Sequence, residues 1–240
     1  MLNILYKLYY ILVFLPIQVV HSVFCVLLCV LFFPIFGPDW VSYNVGVLWG
    51  RVILYASLTR VRVIGREHLE SQKSYILIAN HSSSFDVYAI FGWIGRPIRW
   101  VMKKELTKIP LFGWLTKASG QIAVDRSNSQ AAIDSINEAR KSLKPGVSVM
   151  IFPEGTRSKN GELKPFKKGA YHFAFDMRYD IVPIAIKGAN KVKRPGSFFG
   201  SLGKIDIIIS KPLKIGAYKR EEMLTLVDKT KQIIEQALRD

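Results

Sequence analysis

Residues 80–86 read NHSSSFD and place a histidine and an aspartate directly after the apolar run YILIA. Histidine titrates near neutral pH and often acts as a general base. A five-residue step turns through about 500° on a helix, so His81 and Asp86 would not share a helical face. They can meet if His81 lies in a loop and Asp86 in the first turn of a helix. The alternative is a capping segment, in which one of the serines at 82–84 starts the helix and His81 is only solvated.

A second segment, FPEGTRS at residues 152–158, follows another apolar run. Gly155 in a turn exposes backbone N–H groups, and the planar guanidinium of Arg157 can bind a phosphate through two hydrogen bonds. A tight turn with a surface ion pair is the simpler interpretation. Ligands in α/β sheets bind at the carboxyl ends of strands, so two such loops predict a shared cleft.

The positioning elements follow from alternating short apolar runs and polar stretches after residue 58. The predicted strands are 61–64, 75–79, 98–102, 121–124, 147–152, 181–186 and 205–210. Amphipathic helices are predicted at 127–143, with Ser127 and Gln130 as a capping box, and at 219–238. This alternation predicts an α/β domain with a central, mostly β-sheet flanked by helices.

The N-terminal region is apolar, with no formal charge between residues 8 and 38. A second apolar segment, 40–58, is broken by Arg51, and the turn-forming residues FPIFGPDW separate the two. The first segment is too long for a cleavable signal peptide. We therefore predict a two-helix membrane anchor at residues 1–58 and an α/β domain at 59–240. His21 is expected to have a hydrogen-bonded partner within the helix pair, and Cys25 and Cys29 to be small apolar side chains.

The charge is concentrated in the predicted domain. The chain carries a net charge of +16, but residues 1–59 contain only Lys7, Asp39 and Arg51, so the remaining +15 lies in residues 60–240. Such a domain favours an anionic partner: a membrane, a phosphorylated small molecule or nucleic acid. The apolar N-terminus favours a membrane, and no nucleic-acid motif is present. No Cys/His spacing predicts a metal site.

Four motifs in order resemble those of the glycerophospholipid acyltransferase family, specifically the 1-acyl-sn-glycerol-3-phosphate acyltransferases. NHxxxxD corresponds to residues 80–86. KxELxxIPxxG corresponds to KKELTKIPLFG at 103–113, followed by GQIAVDR at 120–126. FPEGTRS lies at 152–158, and an apolar run with a proline, IVPIAI, at 181–186.

The resemblance implies transfer of a fatty acyl group from acyl-CoA or acyl-carrier protein to the sn-2 hydroxyl of lysophosphatidate. His81 would take the hydroxyl proton, and Asp86 would hold the imidazole, as in a Ser-His-Asp triad with the substrate alcohol in place of serine. No covalent acyl-enzyme, metal or other cofactor is then expected.

The same resemblance assigns the binding groups. Arg157, together with Lys103, would bind the substrate phosphate. Backbone N–H groups near Gly155 and Thr156 would stabilise the oxyanion, and Glu154 would orient either the glycerol or Arg157. The expected partners are a membrane lipid substrate, an anionic membrane surface and the acyl donor, with the catalytic domain facing the cytoplasm.

Several alternatives stay open. A sister acyltransferase would use glycerol-3-phosphate or another lysophospholipid as the acceptor. A serine hydrolase would need a GxSxG turn, which GSFFG at 196–200 does not supply. A non-catalytic lipid-binding protein would not need His81, Asp86 and Arg157 together. For the anchor, a hairpin in one leaflet is favoured over two full spans, because Arg51 at the bilayer centre would cost roughly 2.5–3.5 kcal/mol.

Overall fold

One seven-stranded mixed sheet forms the centre of the computed structural model, which describes residues 2–109, 112–125 and 129–239. The strands are β1 Thr59–Ile64, β2 Ile76–Ala79, β3 Ile98–Lys103, β4 Ile122–Val124, β5 Ser148–Ile151, β6 Ile181–Lys187 and β7 Gly203–Ile209. Their spatial order is β1-β7-β6-β2-β5-β3-β4, and of these neighbouring pairs only β6–β7 is antiparallel. The predicted α/β class and all seven predicted strands are confirmed, with ends differing by a residue or two.

Helices connect the strands and cover both faces of the sheet. In the described ranges the α-helices are α1 Leu2–Tyr9, α2 Leu15–Ala56, α3 Phe85–Trp93, α4 Phe112–Ala118, α5 Ser129–Ser142, α6 Gly169–Met177, α7 Ala189–Val192 and α8 Met223–Arg239. A π-helical turn, Tyr10–Phe14, joins α1 to α2. Short 3-10 turns lie at Arg66–His68, Lys104–Lys108, Ile215–Ala217 and Arg220–Glu222. The predicted helix at 127–143 is α5, and its proposed cap Ser127 lies outside the described residues.

The sheet is buried on both faces, as parallel strands require. Along β2 the side chains of Tyr75, Leu77 and Ala79 pack against α3 and the N-terminal helices. The alternate residues Ile76 and Ile78 pack in a second core formed with α6 and α8. The carboxyl ends of these strands are therefore held in place by packing on both faces of the sheet.

The N-terminal helices fold back on themselves at Gly37. The helical run of α2 continues through the predicted turn, and its backbone is non-helical only at Gly37, with φ 74° and ψ 177°. Trp49 Nε1 donates to Ser22 Oγ over 3.0 Å, and Tyr9 Oη donates to the Ala56 carbonyl over 2.7 Å. The first contact joins the two arms of α2, and the second joins α1 to the second arm, so residues 2–56 form an antiparallel hairpin. The predicted turn is thus reduced to one kinked residue.

The hairpin is suited to a membrane. The run Ile4–Ala56 is long and apolar enough to cross one by length and composition, and most of its most apolar stretch is exposed. His21 Nε2 lies 3.5 Å from Cys25 Sγ. Cys25 and Cys29 are free thiols packed within the hairpin core.

Polar contacts fix the hairpin to the domain. Arg51, in the second arm, donates from Nε to the Gly92 carbonyl at the end of α3 over 2.9 Å. This contact gives the Arg51 guanidinium a hydrogen-bond partner within the protein. At the kink, Asp39 pairs with the buried guanidinium of Arg99, in β3. Burial lowers the pKa of Arg99, and the Asp39 charge opposes that shift.

We expect Asp39→Ala to destabilise the fold by about 1–3 kcal/mol, because Arg99 would stay buried without its charged partner. The measurement is the thermal unfolding midpoint in detergent, which should fall by about 2–4 °C per kcal/mol. Lys144 also reaches Asp39, at 3.4 Å, but its side chain is 74% exposed. Lys144→Met is therefore the matched control, with an expected loss of about 0–1 kcal/mol. Equal losses in the two variants would contradict a role for the buried pair.

Candidate active site

Asn80 fixes the point at which the first motif leaves the sheet. Its Nδ2 donates to the Ile186 carbonyl over 3.0 Å, and its Oδ1 accepts from the Ile186 N–H over 2.7 Å. The side-chain amide thus extends the β2–β6 pairing by one step beyond Ala79. Because β2, β5 and β6 are parallel, the loops that follow all three meet at this edge.

The structure brings His81 and Asp86 together. His81 lies in the loop after β2, Asp86 lies in the first turn of α3, and Nδ1 is 2.9 Å from Asp86 Oδ2. The same oxygen accepts the N–H groups of Ser82 and Ser83 over 2.7 and 2.8 Å. Ser83 Oγ also accepts the Phe85 N–H, at 3.1 Å. The N-cap of α3 is Ser84, which makes no side-chain capping hydrogen bond, so the segment forms the His–Asp pair without the predicted serine cap.

This arrangement fixes the roles of the two imidazole nitrogens. The Asp86 side chain is fully buried, and its Oδ1 has no hydrogen-bond partner among the described residues. With Nδ1–H donated to Asp86, the lone pair of Nε2 lies on the side of the ring away from the carboxylate, and His81 is one of the residues that line the cleft. His81 can accept a proton at Nε2, and the buried carboxylate stabilises the resulting imidazolium.

Phe152 holds the plane of the imidazole. Its ring stacks on His81 with centroids 3.9 Å apart and an interplanar angle of 4°. Trp100 packs behind it, with its ring centroid 5.3 Å from that of Phe152. Sequence reasoning gave Phe152 no role. The available signal was an aromatic residue at the end of a predicted strand, directly before Pro153 and the charged loop.

Glu154 ties the two motif loops together. Its Oε1 accepts the His81 N–H over 2.7 Å, and its Oε2 accepts the Lys164 N–H over 3.1 Å. In return, the Ser158 N–H donates to the His81 carbonyl over 2.8 Å. Burial raises the pKa of the Glu154 carboxyl, and these hydrogen bonds oppose the shift. No ion pair joins Glu154 to Arg157 in the described structure, so Glu154 orders the backbone instead.

The turn at Gly155 determines which backbone N–H groups of this loop are free to bind a ligand. Gly155 has φ 74°, and its N–H closes the turn onto the Phe152 carbonyl at 3.1 Å. That amide is not free for a ligand. Among the described residues, the N–H groups of Thr156 and Arg157 donate no hydrogen bond, so both are free to donate to a ligand. Lys164 Nζ holds this stretch by donating to Thr156 Oγ1 and the Arg157 carbonyl over 3.0 and 2.9 Å.

A cleft of about 330 Å³ opens beside the imidazole. Its lining consists of Trp49, His81, Ser84, Val87, Tyr88 and Arg157. One wall is apolar and comes from the hairpin and α3, while Arg157 provides a cation. Sequence reasoning missed Trp49, Val87 and Tyr88, because nothing local shows that the hairpin arm packs over α3.

Lys103 is placed differently from Arg157. It ends β3 at the same edge of the sheet and is exposed, but it is not among the residues that line the cleft. Lys167 packs over the turn, since a Cβ on Gly155 would lie 3.2 Å from its Nζ. Within the described ranges, no group of three or more His, Cys, Asp or Glu side chains could hold a metal ion.

Comparisons with known proteins identify the family to which a chain with this site belongs. The acyltransferase family model matches residues 60–187, which contain the His–Asp pair, both motif loops and strands β2 to β6. This chain belongs to the acyltransferase family. The match covers more than half of the chain and includes the cleft's imidazole, its arginine and its α3 wall.

Particular relatives are similar over most of the chain. A 1-acyl-sn-glycerol-3-phosphate acyltransferase of Cocos nucifera is 36% identical over 179 residues, covering 74% of this chain and 58% of the relative. One from Saccharomyces cerevisiae is 34% identical, covering 72% and 60%. The chain thus spans about 60% of the length of these curated relatives. The crystal structure of the 1-acyl-sn-glycerophosphate acyltransferase from Thermotoga maritima has a TM-score of 0.80 at 25% identity, covering 99% and 95%.

We expect Glu154→Gln to loosen the loop that carries His81, because a carboxamide has one acceptor oxygen for two partly buried N–H groups. An unsatisfied buried donor costs about 1–3 kcal/mol, and local opening becomes tenfold easier for each 1.4 kcal/mol. Hydrogen exchange of the peptide containing His81 should therefore be faster by about tenfold or more. Glu162→Gln, at an exposed position in the same loop, is the control. Unchanged exchange in Glu154→Gln would contradict the coupling.

Proposed function

We propose that the protein transfers a fatty acyl group from an acyl thioester to the sn-2 hydroxyl of 1-acyl-sn-glycerol-3-phosphate, giving phosphatidic acid. The observation that carries the proposal is the His81–Asp86 pair, whose histidine lines a cleft with an apolar wall and one arginine. Those are the chemical features of the acceptor: a hydroxyl, an acyl chain and a phosphate. The names of the two relatives point to the same reaction.

The reaction proceeds by direct transfer between the two substrates. Nε2 of His81 takes the acceptor hydroxyl proton as the oxygen attacks the thioester carbonyl. The tetrahedral intermediate collapses, the C–S bond breaks, and the imidazolium returns the proton to the thiolate. Asp86 keeps Nδ1 protonated and stabilises the imidazolium. Because the acceptor itself is the nucleophile, no acyl group is attached to the protein.

The loop of residues 152–158 supplies the electrostatic stabilisation of the transition state. The N–H groups of Thr156 and Arg157 donate to the developing oxyanion, a role worth roughly 3–4 kcal/mol in comparable enzymes. The guanidinium of Arg157 binds the phosphate, and Lys103 adds a second positive charge at the same edge of the sheet. Glu154 and Gly155 act through the shape of the loop.

Coenzyme A and acyl-carrier protein are both anionic, so the basic domain suits either thioester as donor, and no further cofactor is required. The experiment measures acyl transfer by the purified chain with both donor types and a panel of acceptors. We expect lysophosphatidate to be the preferred acceptor. Preference for glycerol-3-phosphate or another lysophospholipid would assign the chain to a sister activity. Absence of transfer to every acceptor would reject the proposal.

We expect His81→Ala to lower the turnover number by roughly 10²–10⁴-fold, because a general base contributes that much. Asp86→Asn should also lose a large factor, since the imidazole loses its orienting carboxylate. Steady-state kinetics with lysophosphatidate gives the measurement. His172, exposed on α6, provides the matched control, and His172→Ala should keep full activity. Near-normal turnover in His81→Ala would remove the base from the mechanism.

We expect Arg157→Lys to raise the KM for lysophosphatidate, because lysine keeps the charge and loses the planar two-point contact with phosphate. The KM for the acyl donor should change much less. Arg140→Lys, at an exposed position on α5, controls for a general effect of the exchange. Equal changes in both KM values would show that Arg157 positions its loop and does not bind the phosphate.

The hairpin attaches the protein to the membrane within one leaflet, and the domain faces the cytoplasm. The support is the position of the kink: Asp39 pairs with Arg99 in the sheet, so the tip of the hairpin stays with the domain. Two full spans would need the tip on the opposite side of the bilayer. The substrate lipid then enters the cleft sideways along Trp49, and the donor arrives from the aqueous side.

Cysteine labelling tests this arrangement in Ile35→Cys, at a position that is 65% exposed near the kink, after Cys25 and Cys29 are replaced by alanine. In sealed vesicles with the domain outward, we expect position 35 to be modified from outside or protected by lipid. Leu224→Cys, in the exposed part of α8, marks the domain side. Modification of position 35 only by reagent trapped inside would establish a spanning hairpin.

A further inference from the structure

The segment of residues 193–202, here called the aromatic loop, includes the GSFFG sequence and takes no part in the chemistry above. It follows α7 and leads into β7. Phe198 is 61% exposed and Leu202 is 47% exposed. Apolar side chains that join a larger exposed apolar patch mark an interaction site.

The aromatic loop packs directly on the start of the hairpin. The ring of Phe199 meets that of Tyr10 edge-on at 5.9 Å, and Lys7 Nζ lies 5.5 Å from the Phe199 centroid. Lys193 Nζ lies 5.2 Å from the Tyr10 centroid. The exposed apolar residues of this part of the hairpin are Ile4, Leu5, Leu8, Ile11 and Leu12. The loop therefore adjoins the apolar surface of the hairpin.

The outward position of Phe198 is built into the loop. Lys193 Nζ donates to the carbonyls of Ser197, over 2.7 Å, and Phe198. Ser197 Oγ donates to the Phe199 carbonyl over 2.7 Å. The rings of Phe198 and Phe199 meet edge-on with centroids 5.0 Å apart. These contacts hold Phe199 inward and Phe198 outward.

The charges around Phe198 match an anionic lipid surface. Exposed cations near it in the chain are Lys191 and Arg194, and Lys7 lies on the adjoining helix. Exposed aromatic rings among cations are typical of segments at the bilayer interface, where nearby Lys and Arg side chains are attracted to anionic lipid.

The aromatic loop also touches the catalytic segment. Ser83 Oγ donates to the Lys193 carbonyl over 2.7 Å, and the Ser83 N–H donates to Asp86 Oδ2. The position of the loop is therefore coupled by one side chain to the segment that holds His81. A loop resting on the bilayer would set the height of the cleft above the lipid.

We propose that the aromatic loop is a second membrane-contact element, which inserts Phe198 into the interface of an anionic phospholipid bilayer beside the hairpin. The proposal rests on the membrane attachment of the hairpin under the proposed function. Its consequence is that the domain is held at two points, so the mouth of the cleft faces the lipid in a defined orientation.

The test measures lipid contact separately at each position in the full chain with Cys25→Ala and Cys29→Ala. Phe198→Cys carries an environment-sensitive fluorophore, and the protein is reconstituted in phosphatidylcholine vesicles with and without phosphatidylglycerol. We expect blue-shifted emission that nitroxide-labelled lipid quenches, more strongly with phosphatidylglycerol. Leu224→Cys, 56% exposed on α8 at the opposite face of the sheet, should report water.

Leu12→Cys on the hairpin, 70% exposed, separates the possible failures. Quenching at position 12 without quenching at position 198 would overturn the aromatic loop proposal and leave the hairpin attached. Absence of quenching at both positions would overturn both. Neither quenching measurement depends on acyl transfer. Failure of the proposed reaction is therefore detected separately, by the acceptor assay.

Phe198→Ala supplies a functional readout. We expect it to lower the rate on lysophosphatidate presented in phosphatidylglycerol-containing vesicles and to leave the rate in detergent micelles unchanged. Leu224→Ala should change neither rate. An equal loss in vesicles and micelles would show that Phe198 acts on the fold of the site, and this would overturn its assignment to the membrane.

Discussion

The main-chain N–H and C=O of His81 are both bonded to the loop that follows β5, and the geometry of the site depends on this connection. Glu154 accepts the N–H and Ser158 donates to the carbonyl, so the backbone that carries the imidazole is held at both groups. Its plane is then set by the Phe152 ring and its Nδ1 by Asp86. A buried carboxylate that binds two backbone N–H groups is stabilised as the anion while burial opposes ionisation, which makes Glu154 a structural group.

The site lies where two different surfaces meet. The hairpin contributes Trp49 and an exposed apolar exterior, whereas the domain contributes His81, Arg157 and most of the positive charge. The acyl chain and the phosphate of the proposed acceptor, lysophosphatidate, differ in the same way. The Asp39–Arg99 and Arg51–Gly92 contacts hold the two surfaces in one arrangement, so the apolar wall stays beside the imidazole.

The sequence predicted the parts of the fold that local pattern determines. Apolar runs located all seven strands. Helical geometry allowed His81 and Asp86 to meet if His81 lay in a loop and Asp86 in the first helical turn, and this is where they are found. The Phe152 stack, the Trp49 wall and the Glu154 bridge could not be predicted, because each joins segments whose packing depends on the whole fold. The amide of Gly155 was a reasonable donor from sequence, but the turn that needs its positive φ also uses its N–H.

The central claim is that His81 activates the acceptor hydroxyl directly and that the protein never carries the acyl group. The most direct measurement mixes the protein with acyl thioester in the absence of acceptor and follows both released thiol and the intact protein mass. The account predicts no burst of thiol and no acylated protein until lysophosphatidate is added. A stoichiometric burst with an acyl adduct on the chain, transferred to lysophosphatidate afterwards, would contradict it.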